Sequence, residues 1–271
     1  MPVHHPSLVD ASTSRYYTRW TQADPARPAL VAEASRQPMD REAMQQRLAR
    51  DLEAGLSLPA AMRRLRNLII CSLITRDLDG RADLAEVVAT MTGFADFAVQ
   101  THLAALMQEQ IALHGTPLGE ESGRPQEMIV LGMGKLGGGE LNVSSDIDLI
   151  FVYPEDGDTQ AGPGQKSLSN HEFFVRLGKK LIGALAEITE DGFTFRVDMA
   201  LRPNGNSGPL VASFNMVEEY LVRQGREWER YAWTKARALT GTEEDIAALE
   251  AISRPFIFRR YLDFGSIDAL R

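Results

Sequence analysis

The sequence predicts a helical domain followed by an α/β or α+β domain whose sheet is at least partly buried. Three observations carry this. From Asp40 to about Gly115, apolar residues recur at the three- and four-residue spacing of helices. After the Gly/Pro/charged linker "HGTPLGEESGRPQE", the compact apolar runs "MIVLG" and "DIDLIFVY" read as strands. An amphipathic helix and the alternating run "FTFRVDMALRP" come next, and strand–helix–strand is a crossover unit.

Residues 1–39 are polar and irregular and are expected to form a flexible N-terminal segment; His4 and His5 are too few to argue for a metal site. Residues 40–118 are expected to form the helical domain. Asp40 is placed as an N-cap, with Met44, Leu48 and Leu52 following at four-residue spacing. In "SLPAAMRRLRNLIICSLITRDLDG", Pro59 sits in the first turn and Gly80 at the stop. Met62, Leu65, Ile69 and Leu73 form its inner face, and Arg63, Arg64 and Arg66 are expected on a solvated one. Cys71 reads as a core thiol and, as the only cysteine, has no intrachain disulfide partner. One or two further helices reach His114, with a break expected near Gly93; His102 and His114 lack nearby ligand partners and read as structural.

The second domain is expected over residues 126–271. After the two strands, "PEDGDTQAGPGQKS" reads as a long mobile loop. Ser169 and Glu172 have capping-box spacing ahead of the stripe Phe173, Leu177, Leu181, Leu185 and Ile188, and Gly192 ends that helix. Asn215 and Glu218 open another helix, Gly225 breaks it, and "REWERYAWTKARAL" forms the next, with Trp228 and Trp233 expected in the core and base-stacking as the alternative. The final run, "FIFRRYLDFGSIDALR", has no helix stop and is expected to continue in a longer polypeptide.

At 271 residues the chain has room for two domains of roughly 100–200 residues each. A net charge of −8 argues against wholesale nonspecific nucleic-acid binding, though not against a local basic site. The start "MPVHHPSLVD" lacks signal-peptide organisation, and no apolar run approaches the roughly 20 residues of a membrane helix. The expected location is the cytoplasm.

Chemistry concentrates in "LGMGKLGGGELNVSSDIDLIFVY". Gly132, Gly134 and Gly137 fit G-x-G-x-x-G after a strand, and Glu155 and Asp156 follow where a ribose-binding acid would stand. A dinucleotide fold needs a full crossover helix before its next strand, and Gly138 to Ser145 cannot supply one. Nor is this a Walker loop, since Lys135 is not followed by the Gly-Lys-Ser/Thr ending.

The aspartates are more informative. Side chains alternate along a strand, so Asp146 and Asp148 share a face with Ile150 and Val152. Neighbouring carboxylates at the head of a buried strand repel, and a hard divalent cation such as Mg²⁺ removes the cost. Solvent-facing acids at a strand start are the plain alternative. In "FTFRVDMALRP", Asp198 stands between Arg196 and Arg202 on one face. It is either an ion-pair partner of these arginines or the third carboxylate of a metal site for phosphoryl transfer.

Glycines, then D-x-D on a strand, then a lone Asp on a later strand: this pattern resembles the DNA polymerase beta-like nucleotidyltransferase superfamily. Gly134 and Lys135 hold the place of that superfamily's usual Gly-Ser pair, with lysine departing from serine, and Gly139 matches a second frequent glycine. "GMGKLGGGELNVSSDIDLIF", "DMALRPNGNSGPLV", "GREWERYAWTKAR" and "RRYLDFG" are similar to the glutamine synthetase adenylyltransferase/adenylyl-removing family from about residue 40 onward. Family members carry two nucleotidyltransferase copies. Met1 and "ELNVSSDIDL" match the N-terminal copy, to which adenylyl removal is assigned.

The resemblance implies an α+β, polymerase-beta-like nucleotidyltransferase domain with a mixed sheet, preceded by the helical domain. It implies phosphorolysis: inorganic phosphate attacks the AMP carried by a tyrosine of glutamine synthetase and releases ADP. Asp146, Asp148 and Asp198 would hold Mg²⁺. Gly134, Lys135, Gly138, Gly139, Ser145, Arg196, Arg202 and Lys235 would meet the adenine nucleotide or phosphate. Glutamine synthetase is the implied protein substrate and the PII signal protein the implied regulator. Forward adenylyl transfer from ATP and a catalytically silent regulatory module remain as alternatives.

Overall fold

The computed structural model describes residues 10–258. His4, His5 and the motif "RRYLDFG" lie outside the described residues. The fold is α+β, with a mixed sheet and a substantial helical part. In chain order it has α1 (Arg15–Gln22), α2 (Arg27–Ala34), α3 (Arg41–Glu53), α4 (Leu58–Leu78) and α5 (Leu84–His114). Next come β1 (Thr116–Pro117), β2 (Ile129–Gly132), the single turn α6 (Gly134–Gly137), β3 (Ile147–Tyr153), β4 (Thr159–Gln160) and α7 (Asn170–Ala186). The remainder is β5 (Val197–Asp198), β6 (Val211–Ser213), α8 (Phe214–Arg223), α9 (Glu227–Thr234), β7 (Arg237–Ala238) and α10 (Glu243–Ile257).

The chain divides into two compact units, and the division does not follow the linear boundaries 1–39, 40–118 and 126–271. One unit takes residues 1–98, 139–145 and 185–194; the other takes 99–138, 146–184 and 195–271. The cause is α5. Gly93 does not break it, and one 31-residue helix contributes its first half to one unit and its second half to the other.

In the first unit residues 10–39 are largely helical rather than irregular. Ser14 caps α1 by accepting from the Tyr17 N–H, Pro28 sits in the first turn of α2, and Val31 is buried. Asp40 caps α3 as expected, its carboxylate accepting from the Ala43 N–H at 2.9 Å. Met62, Leu65, Ile69, Leu73 and Cys71 of α4 are buried, and burial pushes the Cys71 thiol up to about 12.

The arginines of α4 are not a solvated face. Arg63 is buried and pairs with Glu187 at 3.0 Å, Arg64 reaches Asp191 at 3.2 Å, and the Arg66 guanidinium lies 4.7 Å over the Phe193 ring. Their partners come from the 185–194 segment, more than a hundred positions later, so helical periodicity alone could not reveal them. Arg76 is also buried: it forks onto Glu86 at 2.6 and 2.9 Å and donates to the Ser35 carbonyl at 3.1 Å.

The second unit holds the sheet. β2 and β7 pair antiparallel, β2 and β3 pair antiparallel, and β5 and β6 both run parallel to β3 along its other edge. One side packs Ile150 and Val152 with Phe214, Val217, Trp233 and Leu249. On the other, the Tyr153 and Phe174 rings stack at 4.9 Å, and a Cβ on Gly178 of α7 would come within 3.0 Å of Phe151. The loop after β3 contributes β4, which pairs with β1. α7 ends at Ala186, leaving Ile188 exposed rather than on its apolar stripe. No helix among the described residues is long and apolar enough to cross a membrane.

The Arg76–Glu86 fork yields a stability prediction. Glu86→Ala strands a buried guanidinium, so a loss on the order of 3 kcal/mol is expected, measured as a lower denaturant midpoint; a change within error would remove the buried-pair account.

Candidate active site

The aspartates meet where β5 joins β3. The Ile147 N–H donates to the Arg196 carbonyl at 3.0 Å, and the parallel register places Asp148 opposite Asp198. Neighbouring strands lie about 4.8 Å apart, so these carboxylates are cross-strand neighbours on one face. The expected long strand over 193–203 shortens to Val197–Asp198, because the chain turns immediately afterwards. That turn is fixed by Asp198, whose Oδ1 accepts from the Ala200 N–H at 2.7 Å. Asp146 precedes β3 and is ion-paired through Oδ1 to the Arg196 guanidinium.

Burial, then the charges of Asp198 and Asp146, hold the Asp148 carboxyl above its ordinary range, while the positive charge of Lys135 works the other way. Among the described residues, no three His, Cys, Asp or Glu side chains are gathered closely enough to hold a metal as they stand. The reason is visible in the partners: Asp146 is turned onto Arg196, and Asp198 is engaged by its own turn. The donor chemistry nevertheless fits a hard divalent cation. Asp148 and Asp198 are cross-strand neighbours whose repulsion Lys135 only partly offsets, and Asp146 stands two residues before Asp148.

The glycines answer to packing as well as to any ligand. Gly134 has φ +54, and a Cβ there would lie 3.0 Å from Asp148 Oδ2. A Cβ on Gly137 would lie 1.8 Å from the Lys235 carbonyl oxygen and 2.5 Å from that of Gly132. Gly138 closes α6 by donating to the Gly134 carbonyl at 3.0 Å. Lys135 is exposed on this turn. Gly139, at φ +72, and Ser145 belong to the 139–145 segment of the first unit, where Ser145 Oγ donates to Asn142 Oδ1 at 2.8 Å.

Other candidates are placed differently from expectation. Arg202 Nη1 donates to the Met199 carbonyl at 2.7 Å and to Asn206 Oδ1 at 3.2 Å, so it braces its own turn. Lys235 is not inside a helix but ends α9, and Arg237 lies in β7 and donates to the Leu136 carbonyl at 3.1 Å. Helical reading failed here because two residues of β7 are too short a strand signal. Trp233 is buried, but Trp228 is 51% exposed and not in the core. It lines a cavity of about 350 Å³ with Ala200, Asn204 and Arg226. The i, i+3 spacing of Trp228 and Tyr231, both half exposed, was the available signal of an outward aromatic face.

The family model described as glutamate-ammonia ligase adenylyltransferase matches residues 11–252. The chain belongs to that family. Curated relatives named bifunctional glutamine synthetase adenylyltransferase/adenylyl-removing enzyme include one from Aromatoleum aromaticum, 56% identical over 96% of this chain. Others come from Ralstonia nicotianae, 52% identical over 95% of the chain, and Chromobacterium violaceum, 49% identical over all of it. The chain spans 27%, 28% and 30% of the length of these relatives respectively.

For this family member the Asp148 environment has a thermodynamic consequence. Its folded-state pKa is raised, so proton binding favours the folded state. The cost of the charged carboxyl is full above the raised value and disappears as pH falls through the ordinary carboxylate range. Asp148→Asn is therefore expected to raise the melting temperature of the metal-free protein at neutral pH and to abolish any further rise on adding Mg²⁺. Unchanged thermal unfolding with and without Mg²⁺ would contradict both expectations. Gly137→Ala should cost the upper end of the roughly 1–3 kcal/mol typical of overpacking, because both blocking atoms are backbone; a wild-type denaturation midpoint would show that the contact relaxes freely.

Proposed function

We propose that this chain removes AMP from an adenylylated tyrosine of glutamine synthetase by phosphorolysis, releasing ADP, with Mg²⁺ bound at Asp146, Asp148 and Asp198. The observation that carries the reading is the cross-strand pairing of Asp148 with Asp198, with Asp146 two residues earlier. Three carboxylates on adjacent strand ends are the donor set phosphoryl transfer needs, and the family membership supports the adenylyl group as cargo. The match to the N-terminal copy, rather than the carboxylates, supports the removing direction.

When bound, Mg²⁺ supplies positive charge to the phosphoryl oxygens and to the departing phenolate, whose parent tyrosine has a pKa of about 10. The protein's part is positional. β3 and β5 hold Asp148 and Asp198 at fixed separation. Arg196, once it leaves Asp146, is a planar guanidinium at the site edge suited to a phosphate dianion. Lys135 adds charge from the glycine turn, whose Gly134 and Gly138 permit close backbone approach. Lys235 completes the contacts proposed for the nucleotide, with Arg202 bracing the turn that carries Asp198. The attacking phosphate is already an anion, so no strong general base is required. His171 opens α7 beside Tyr153, at a ring separation of 6.5 Å. The PII signal protein is proposed as regulator on the family resemblance alone.

The test uses the chain with adenylylated glutamine synthetase and Mg²⁺, with and without inorganic phosphate. Phosphate-dependent release of ADP is expected, falling at least about a hundredfold in Asp146→Asn and in Asp198→Asn, since each removes one metal-binding charge. Phosphate-independent release of free AMP would mean hydrolysis. Labelling of unmodified glutamine synthetase from ATP, without removal, would establish the forward direction instead.

A further inference from the structure

Trp228 stands outside the machinery just described, exposed on α9, yet it borders a cavity that reaches the turn following Asp198. The link is Ala200. Its N–H holds Asp198 Oδ1 at 2.7 Å, and the residue itself lines the same 350 Å³ cavity as Trp228. The cavity wall is well braced. The buried Tyr220 hydroxyl donates to Glu229 Oε1 at 2.5 Å, and Glu229 Oε2 accepts from the Arg226 N–H at 2.7 Å. Glu229 and burial together push the Tyr220 hydroxyl up to about 12, so this donor stays protonated at physiological pH. Asn204, held at φ 61, and Gln224 place amide side chains around the opening.

We propose that this cavity is the subsite for the adenine base, with Trp228 as its stacking platform and the Asn204 and Gln224 amides reading the base edge. The inference rests on the nucleotidyl-transfer reading and names where that reaction's nucleotide is gripped. Three features favour a base over a polypeptide segment. The cavity is concave and within the roughly 300–1,000 Å³ range of small-molecule sites. Its lining sets two amides, Asn204 and Gln224, beside Ser207, Arg226 and Glu229 and one exposed indole, and Asn or Gln amides match the paired donor and acceptor of adenine. Ala200 of its lining, two residues after Asp198, donates to the carboxylate proposed to sit at the phosphoryl group, which ties the cavity to that end of a nucleotide. A protein-docking face would instead extend as a broad apolar patch.

The test compares Mg²⁺–ADP with Mg²⁺–pyrophosphate, which keeps two phosphoryl groups and lacks base and ribose, by calorimetry on the 271-residue chain. Trp228→Ala is expected to weaken ADP about ten- to hundredfold, to leave pyrophosphate binding unchanged, and, being an exposed position, to leave the melting temperature unchanged. Trp228→Phe should keep ADP affinity within about threefold, as a stacking role predicts. Wild-type ADP affinity in Trp228→Ala would overturn the subsite while leaving the metal-site reading standing. Equal losses for ADP and pyrophosphate would also overturn it, since the indole would then be shaping the phosphate end. Loss of affinity only for adenylylated glutamine synthetase, with ADP unaffected, would reassign the face to protein docking. Failure of the wild-type chain to bind either ligand would remove the nucleotidyl-transfer reading and this subsite with it.

Discussion

The parallel pairing of β5 onto the first residues of β3 is the constraint on which the site depends. It consists of two residue pairs, Ile147 with Val197 and Asp148 with Asp198, yet it brings together carboxylates fifty positions apart. Ile147, buried on the face opposite the carboxylates, anchors that register. A one-residue slip would turn Asp198 away from Asp148 and present Val197 in its place. β6 pairs with the far end of the same edge of β3, so the chain between Asp198 and Val211 has to leave the sheet and return to it. The Met199–Asn206 turn, held by Arg202 and capped onto Asp198, is that excursion.

The glycine turn is the second constraint, and it works through exclusion of side chains. α6 is wedged between the Asp148 side chain on one side and the Lys235 carbonyl on the other. Any Cβ at Gly134 or Gly137 would push against a proposed metal ligand or against the segment leading into β7. Arg237 ties the same turn through the Leu136 carbonyl. β2, α6, β3 and β7 therefore form one mutually braced block. This explains why a glycine pattern that imitates a dinucleotide fingerprint occurs with no crossover helix behind it: the glycines relieve backbone crowding around a carboxylate.

What the sequence disclosed follows from the range of the interactions involved. Strand alternation put Asp146 and Asp148 on one face and Asp198 among arginines, because period two is a local property. Asp40, Pro59 and Ser169 announced helix starts for the same reason. Arg63, Arg64 and Arg66 were misread because what covers them, Glu187, Asp191 and Phe193, is distant in sequence. α1 and α2 were missed because each is only eight residues long and buries a single residue, Thr21 and Val31, too little to mark a helical period. The division into units was hidden because an uninterrupted α5 contributes to both, and composition marks linkers but not shared helices. Trp228 was assigned to the core on residue type alone, although aromatic rings serve equally well as exposed platforms.

The three carboxylates differ in the freedom they have to change partners. The Arg196–Asp146 pair is solvent-exposed, with side chains 61% and 47% accessible, and pairs of that kind contribute only about 0–1 kcal/mol. Arg196 is thus a weakly held counter-ion of Asp146. Asp148 has no such exchange to make. It is half-buried within β3 and repelled by both neighbours, with Lys135 offsetting part of that repulsion. Asp198 lies between these limits, exposed but orienting its own turn through the Ala200 N–H. The exposed pair leaves Asp146 and Arg196 lightly constrained, whereas Asp148 carries the repulsion of both neighbouring carboxylates within β3.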